Sequence, residues 1–161
     1  MSSPRIRNLP PIMITIESAD PFAPDSQRLI EQLSSELAAI TGNNGKSHFS
    51  AEVIDAKRSI WVLAKDQQGR AVGCASLRPL SDDIAELKRM YSDRSVSGVG
   101  AALLEHLQRW AVSVGYEEIN LSTRAINSRA VDFYLKHGFK KIENYGSYVG
   151  RTESVCLSKT L

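Results

Sequence analysis

The sequence predicts an α/β protein with a mixed, mostly antiparallel twisted sheet flanked by helices on both faces. Three observations predict it. Short apolar runs bounded by turn residues follow one another through 60–91, the pattern of consecutive hairpins. A strand, helix, strand succession comes next over 84–123, and a crossover helix of this kind joins parallel strands. The composition, 161 residues with 42% hydrophobic and 24% charged, is that of a globular chain long enough to bury a sizeable core.

Taken in order, weak alternation over 13–17 reads as a first strand. A turn over 20–25 follows, and Asp25 is placed to cap the next helix. In that helix Leu29, Ile30, Leu33, Leu37 and Ile40 recur at helical spacing as far as Thr41. A polar loop over 42–48 and a short second helix over 51–56 come next. Strands over 60–65 and 71–78 form a hairpin around Gly69, and a further turn leads into a strand over 84–91. The helix opening at Gly98 carries Val99, Leu103, Leu107, Trp110 and Val114 on one face, with Gly115 as its stop. A strand over 118–123 precedes a helix from Asn127 to His137, closed by Gly138. Short strands over 139–142 and 154–158 flank a glycine- and tyrosine-bearing loop over 145–150.

Charge and composition exclude several classes of partner. A net charge of +2 with no polybasic run gives no footprint for nucleic acid. No apolar stretch approaches the roughly 20 residues of a membrane span, so no membrane partner is expected. Residues 1–12 hold Arg5, Arg7 and three prolines without an apolar segment, which is not the pattern of a secretory signal. They read as a loose extension ahead of a single domain over 13–161, with cytoplasmic residence as the expectation. Cys74 and Cys156 stand in apolar strand-like runs and read as buried free thiols. The three histidines are scattered and no Cys/His cluster has ligand spacing, so no metal is expected. His106 falls on the apolar side of its helix, His137 in a C-terminal turn that suits partial positive charge. Trp61 and Trp110 read as core.

The stretch richest in chemistry joins the strand over 84–91 to the helix at Gly98. A small Gly- and Ser-rich loop leads directly into a helix. Such a junction presents unpaired backbone N–H groups and the positive end of a helix dipole, so a diphosphate can sit there without a basic side chain. The Walker A sequence Gly-Lys-Ser/Thr is absent, and Leu103 stands where a Rossmann fingerprint has its third glycine. Phosphates held here belong to some other kind of site. Further on, Asn127 and Tyr134 lie about two turns apart at roughly 3.6 residues per turn, so they point the same way. Asn127 can simply cap its helix, and Tyr134 can be a core aromatic with a polar tip.

Together these motifs resemble the GNAT superfamily of N-acetyltransferases, most closely over 71–142. Glu86-Leu87-Lys88-Arg89-Met90-Tyr91 is similar to its acetyl-coenzyme A strand. Ser95-Val96-Ser97-Gly98-Val99-Gly100 falls on its Gln/Arg-x-x-Gly-x-Gly/Ala pyrophosphate loop, and Phe133-Tyr134 with Gly138-Phe139 on its second cofactor motif. Ser95 departs from that pattern, and Arg94 stands one residue earlier. The resemblance implies an acyl-CoA N-acyltransferase fold and acetyl-CoA as acetyl donor. It implies transfer to a primary amine, read here as that of a small molecule, by direct attack in a ternary complex. It places the cofactor on the backbone of Met90, Tyr91 and Ser92, on Ser97, Gly98, Val99, Gly100 and Ala101, and on Asn127. It also implies that the strand holding Met90 splays from its neighbour.

The chemistry asks for specific groups. An alkylamine with a pKa of about 10.4 arrives protonated and needs a base, directly or through water. Glu86 aligns with the catalytic carboxylate of some superfamily members and is the base candidate. By strand alternation Lys88 and Met90 are expected on its face. The tetrahedral oxyanion needs a fixed donor, for which the Met90 N–H is the candidate. Tyr134 is the candidate acid toward the departing thiolate. A free thiol titrates near 8.5 and a phenol near 10, so full proton transfer is uphill by about 2 kcal/mol. The loops over 42–48 and 145–151 are the expected acceptor walls. Acetylation of a protein α-amine or lysine, and a non-catalytic acyl-CoA sensor, are the alternative functions. Homodimers are common in the superfamily, and nothing in the sequence fixes an oligomeric state.

Overall fold

The computed structural model describes residues 13–42 and 57–161. The extension over 1–12, most of the loop over 42–48 and the helix expected over 51–56 lie outside these residues. The described elements are β1 (Thr15–Ser18), α1 (Pro24–Thr41), β2 (Ile60–Lys65), β3 (Ala71–Pro79), β4 (Ile84–Ser92) and α2 (Val99–Ser113). β5 (Glu118–Arg124), α3 (Ser128–Lys136), β6 (Lys140–Ile142), a single 3₁₀ turn at Gly146–Tyr148 and β7 (Ser154–Thr160) follow.

The strands form one seven-stranded sheet in the order β1-β2-β3-β4-β5-β7-β6. Every pairing is antiparallel except β4 with β5. That parallel pair follows from the α2 crossover, since parallel neighbours need a long connection. The sheet is therefore mixed and mostly antiparallel, as the hairpins and the single crossover predict.

β2 and β3 are buried along nearly their whole length because both faces of the sheet are covered. Trp61, Leu63, Ala71 and Cys74 meet Leu29 and Ile30 of α1. Val62, Ala64, Val72 and Ala75 meet Val99, Leu103, Leu104, Leu107 and Ala111 of α2 on the other face. Each fully buried leucine contributes about 1.5–3 kcal/mol by leaving water, so both faces hold the sheet. Trp61 is a core residue, and its indole N–H donates to the buried Ser26 hydroxyl at 2.8 Å. Both cysteines are free and buried.

The start of α1 differs from expectation. Its first helical residue is Pro24, whose fixed φ and missing N–H suit that position, and Ala23 precedes it without a side-chain cap. Asp25 lies inside the first turn, where it acts on the helix dipole rather than as a cap.

Two features set the end of β4. The register with β3 shifts between Cys74 and Ser76, because β4 carries an extra residue there. Arg89 adopts a positive φ of 56° at this bulge, and its carbonyl accepts from the Cys74 thiol at 3.4 Å. The bulge reverses the alternation beyond it. Ala85 and Leu87 face α2, Glu86 and Lys88 the other side, and Arg89 also reaches α1 through Ser34. Met90 packs with the α2 core and Tyr91 with the α1 cluster. Met90 therefore does not share the face of Glu86 and Lys88, as unbroken alternation would have it.

The second feature is Gly73. A Cβ there would stand 2.5 Å from Val99 Cγ1 and 2.8 Å from the Tyr91 carbonyl, so α2 begins hard against β3. This contact places the helix tip beside the end of β4. Gly73→Ala is expected to lower unfolding free energy by about 1–3 kcal/mol through overpacking, read as a shifted urea midpoint at unchanged slope. An unshifted midpoint would mean that the helix tip is free to move.

Candidate active site

β4 and β5 pair only at Ile84↔Glu118, Ala85↔Ile119 and Glu86↔Asn120. Beyond Glu86 both strands continue, to Ser92 and Arg124, without pairing to one another. The sheet is split there, as the family resemblance implies, and a cavity of about 220 Å³ occupies the split. Its floor and walls come from Leu87 to Met90 on β4, Leu121 to Arg124 on β5, and Leu33, Leu37 and Thr41 of α1. Asn127, Ala130 and Tyr134 close one end, and Tyr148, Arg151, Glu153 and Ser154 another. A split sheet leaves strand backbone facing the gap, and buried backbone groups want partners.

Helix α2 opens beside this split. Gly98 has a φ of 84°, open space around its Cα and no side-chain cap. The first intrahelical donor is Ala102 N–H, to the Gly98 carbonyl at 3.0 Å. The amides of Val99, Gly100 and Ala101 precede it and aim out of the helix tip. Gly98 is needed for its left-handed backbone. Gly100 is needed for a different reason: a Cβ there would meet the Phe133 ring at 2.9 Å. That contact presses α3 against α2 and carries Tyr134 to the cavity.

The loop over 92–97 is shaped by its own side chains. Ser92 Oγ accepts from the Arg94 N–H at 3.1 Å, and Asp93 Oδ1 accepts from the Ser95 N–H at 2.9 Å and the Ser95 hydroxyl at 2.6 Å. Ser95 thus serves the turn rather than standing in for a longer side chain. The Arg94 guanidinium reaches Glu36 of α1 at 2.9 Å. It ties the loop to α1 instead of covering the helix tip.

Tyr134 lines the cavity and is 7% exposed, its ring set edge-on to Phe133 and to Phe139 at centroid distances of 5.3 and 5.4 Å. Burial pushes its phenol well above the usual tyrosine range. Asn127 lines the cavity too, and its side chain accepts from the Ala130 N–H at 3.4 Å, capping α3. Met90 lines the split from β4. Tyr91 and Ser92 continue the strand toward the α2 tip but do not line the cavity. Ser97 is exposed in the loop before the tip.

Glu86 stands elsewhere. Its carboxylate is 1% exposed and is not on the cavity wall. Oε1 accepts from Arg78 Nε at 2.7 Å and lies 3.9 Å from Lys88 Nζ, while Oε2 accepts from the Tyr145 hydroxyl at 2.7 Å. Both oxygens are therefore engaged beneath the site. Burial, then the Glu86 charge, raises the Tyr145 pKa far above the phenol range, so this hydroxyl stays a donor. The loop over 145–151, expected as an acceptor wall, supplies Tyr148 and Arg151 to the cavity. Lys88, Arg89, Arg124 and Glu153 on that wall were not picked out for it by sequence reasoning. The bulge in β4 turns Arg89 to this side, while Arg124 and Glu153 come from other parts of the chain, so no single periodicity announces the group.

The split sheet, the tyrosine lining its cavity and the uncapped helix tip near the end of β4 bring together unpaired backbone donors, the positive end of a helix and a gap within the sheet. Residues 25–139 match the acetyltransferase (GNAT) family, and the chain belongs to it. Among its relatives is an uncharacterized N-acetyltransferase of Schizosaccharomyces pombe, 30% identical over 89 residues, 53% of this chain and 55% of that protein. N-acetyltransferase family 8 member 7 of mouse is 28% identical over 74% of this chain and 52% of that protein. This chain thus spans about half the length of the curated relatives it matches. The fold matches a GNAT family acetyltransferase from Elizabethkingia anophelis with acetyl-CoA bound, at TM-score 0.67 and 18% identity over 92% of this chain and 98% of that one. It matches the PaiA N-acetyltransferase from Thermoplasma acidophilum in complex with coenzyme A equally well, with TM-score 0.67, 20% identity and coverage of 92% and 99%. Among the described residues no helix is long and apolar enough to cross a membrane.

Proposed function

We propose that this protein transfers the acetyl group of acetyl-CoA to the primary amine of a small molecule by direct attack in a ternary complex. One observation carries the proposal: β4 and β5 part beyond Glu86, the cavity between them is lined by Met90 and Tyr134, and Val99 at the uncapped start of α2 stands beside the end of β4. The amides of Val99, Gly100 and Ala101 hold the diphosphate at the positive end of the helix. Ser97 and Gly98 shape the approach to that tip, and glycine lets the phosphates come close to the backbone. The pantetheine arm then lies along Met90, Tyr91 and Ser92 as a partial replacement for the missing strand, with Asn127 at the far wall. The two solved structures that hold acetyl-CoA and coenzyme A support the choice of cofactor.

At pH 7 roughly one alkylamine in 2,500 is unprotonated. The proton leaves through water in the cavity. Glu86, engaged on both oxygens, fixes Arg78 and Tyr145 beneath the site, and serves the amine only at a distance through such water. The Met90 N–H donates to the oxyanion of the tetrahedral intermediate. Tyr134, held neutral by burial, donates a hydrogen bond to the sulfur as negative charge develops there. Its raised pKa makes complete proton transfer less favourable than for a free phenol, so the thiolate is finally protonated by solvent.

The test is release of coenzyme A thiol from acetyl-CoA across a panel of amines. Cys74 and Cys156 are fully buried, and burial raises the Cys74 thiol to about 12, so a thiol reagent counts the product rather than the native protein. Amine-dependent release is expected. Tight coenzyme A binding with no release for any amine would make the protein a sensor. Binding of ATP or NAD in place of coenzyme A would remove the proposal altogether.

A further inference from the structure

The cavity wall carries a charge that the cofactor does not explain. Among the described residues, Lys88, Arg89, Arg124 and Arg151 line it with one carboxylate on the wall itself, Glu153, while the buried Glu86 lies 3.9 Å from Lys88 Nζ. The whole chain holds 20 basic and 18 acidic residues, so this excess belongs to the cavity and not to the composition. Two of the cations are consecutive, yet both stand on the α1 side of β4, because the bulge at Arg89 reverses the strand's alternation. Met90 packs toward α2, on the opposite side.

The two cations are held in place. Arg89 is 9% exposed, and its guanidinium reaches Ser34 Oγ of α1 at 3.3 Å. Lys88 Nζ donates to the Tyr148 hydroxyl at 2.9 Å. Desolvation is the main influence on Arg89 and lowers its pKa, and an anion in the cavity would offset that burial. A guanidinium presents a planar fork suited to a carboxylate. The diphosphate cannot be the anion served here if it sits at the α2 tip as proposed.

Resting on the acetyl-transfer reading above, we infer that the acceptor amine carries a carboxylate, bound by Arg89 and Lys88 on the α1 side of the cavity. The acceptor is then an amino acid or a close relative of one, with its amine turned toward the thioester beside Met90.

The experiment measures coenzyme A release with the full chain on matched pairs: the standard L-amino acids, their carboxamides, and phosphoethanolamine. At least one free amino acid should exceed its carboxamide in kcat/KM by roughly ten- to a hundredfold, the scale of a hydrogen bond to a charged group. Arg89→Met should raise KM for that amino acid by about the same factor and be partly rescued by Arg89→Lys. The wild-type pairs decide the matter even if Arg89→Met does not fold. Equal or faster turnover of the carboxamides, or a preference for phosphoethanolamine, would overturn the inference while acetyl transfer stands. Release with no amine at all would instead remove the reading on which it rests.

Discussion

Tyr134→Phe is expected to lower kcat by about a hundredfold, the lower end of what a positioned proton donor supplies. Coenzyme A affinity and melting temperature should stay near wild type. The substitution removes one hydroxyl and keeps the ring that packs against Phe133 and Phe139. Since burial raises the phenol pKa, Tyr134 remains a donor through the alkaline range. The wild-type rate should therefore climb with pH as the amine loses its proton, with no falling limb from this tyrosine below about pH 10. Unchanged kcat in the variant, with chemistry shown to be rate-limiting by the absence of a pre-steady-state burst, would take Tyr134 out of the mechanism.

Glu86→Ala should have the largest effect on stability. The carboxylate is buried and answers Arg78, Lys88 and Tyr145 together. Removing one side of a buried ion pair costs about 3–5 kcal/mol. For a chain of this size that corresponds to a fall in Tm on the order of 10 °C. Glu86→Gln keeps the shape and should lose less. The folded fraction of either variant, assayed at low temperature, should retain turnover within about tenfold of wild type. A hundredfold or greater loss of kcat at unchanged Tm would instead make Glu86 the base itself.

The sequence and the structure agree most closely where local rules suffice. The apolar spacing from Leu29 to Leu37 marks α1, and the Gly-x-Gly junction marks the tip of α2. Asn127 and Tyr134 lie on one side of α3 as their spacing requires, and both line the cavity. The departures arise where non-local packing decides. One extra residue in β4 at Arg89 sends Met90 to the face opposite Glu86, and no periodicity in 84–92 reveals it. Glu86 reads as a reactive carboxylate, but Arg78 one strand away and Tyr145 in a distant loop occupy it. Asp25 gives way to Pro24 at the start of α1 because proline's fixed φ already suits the first helical position. The placement of β7 between β5 and β6 likewise depends on pairing across the sheet, not on the residues of β7 alone.

The central claim is that the backbone at the start of α2 grips the diphosphate of coenzyme A. Amide NMR of the labelled protein during titration with coenzyme A tests it most directly. The account predicts that the Gly98, Val99, Gly100 and Ala101 N–H resonances move furthest, and that pantetheine, which lacks the diphosphate, leaves them in place. Saturable coenzyme A binding that shifts other amides while those four stay fixed would contradict it.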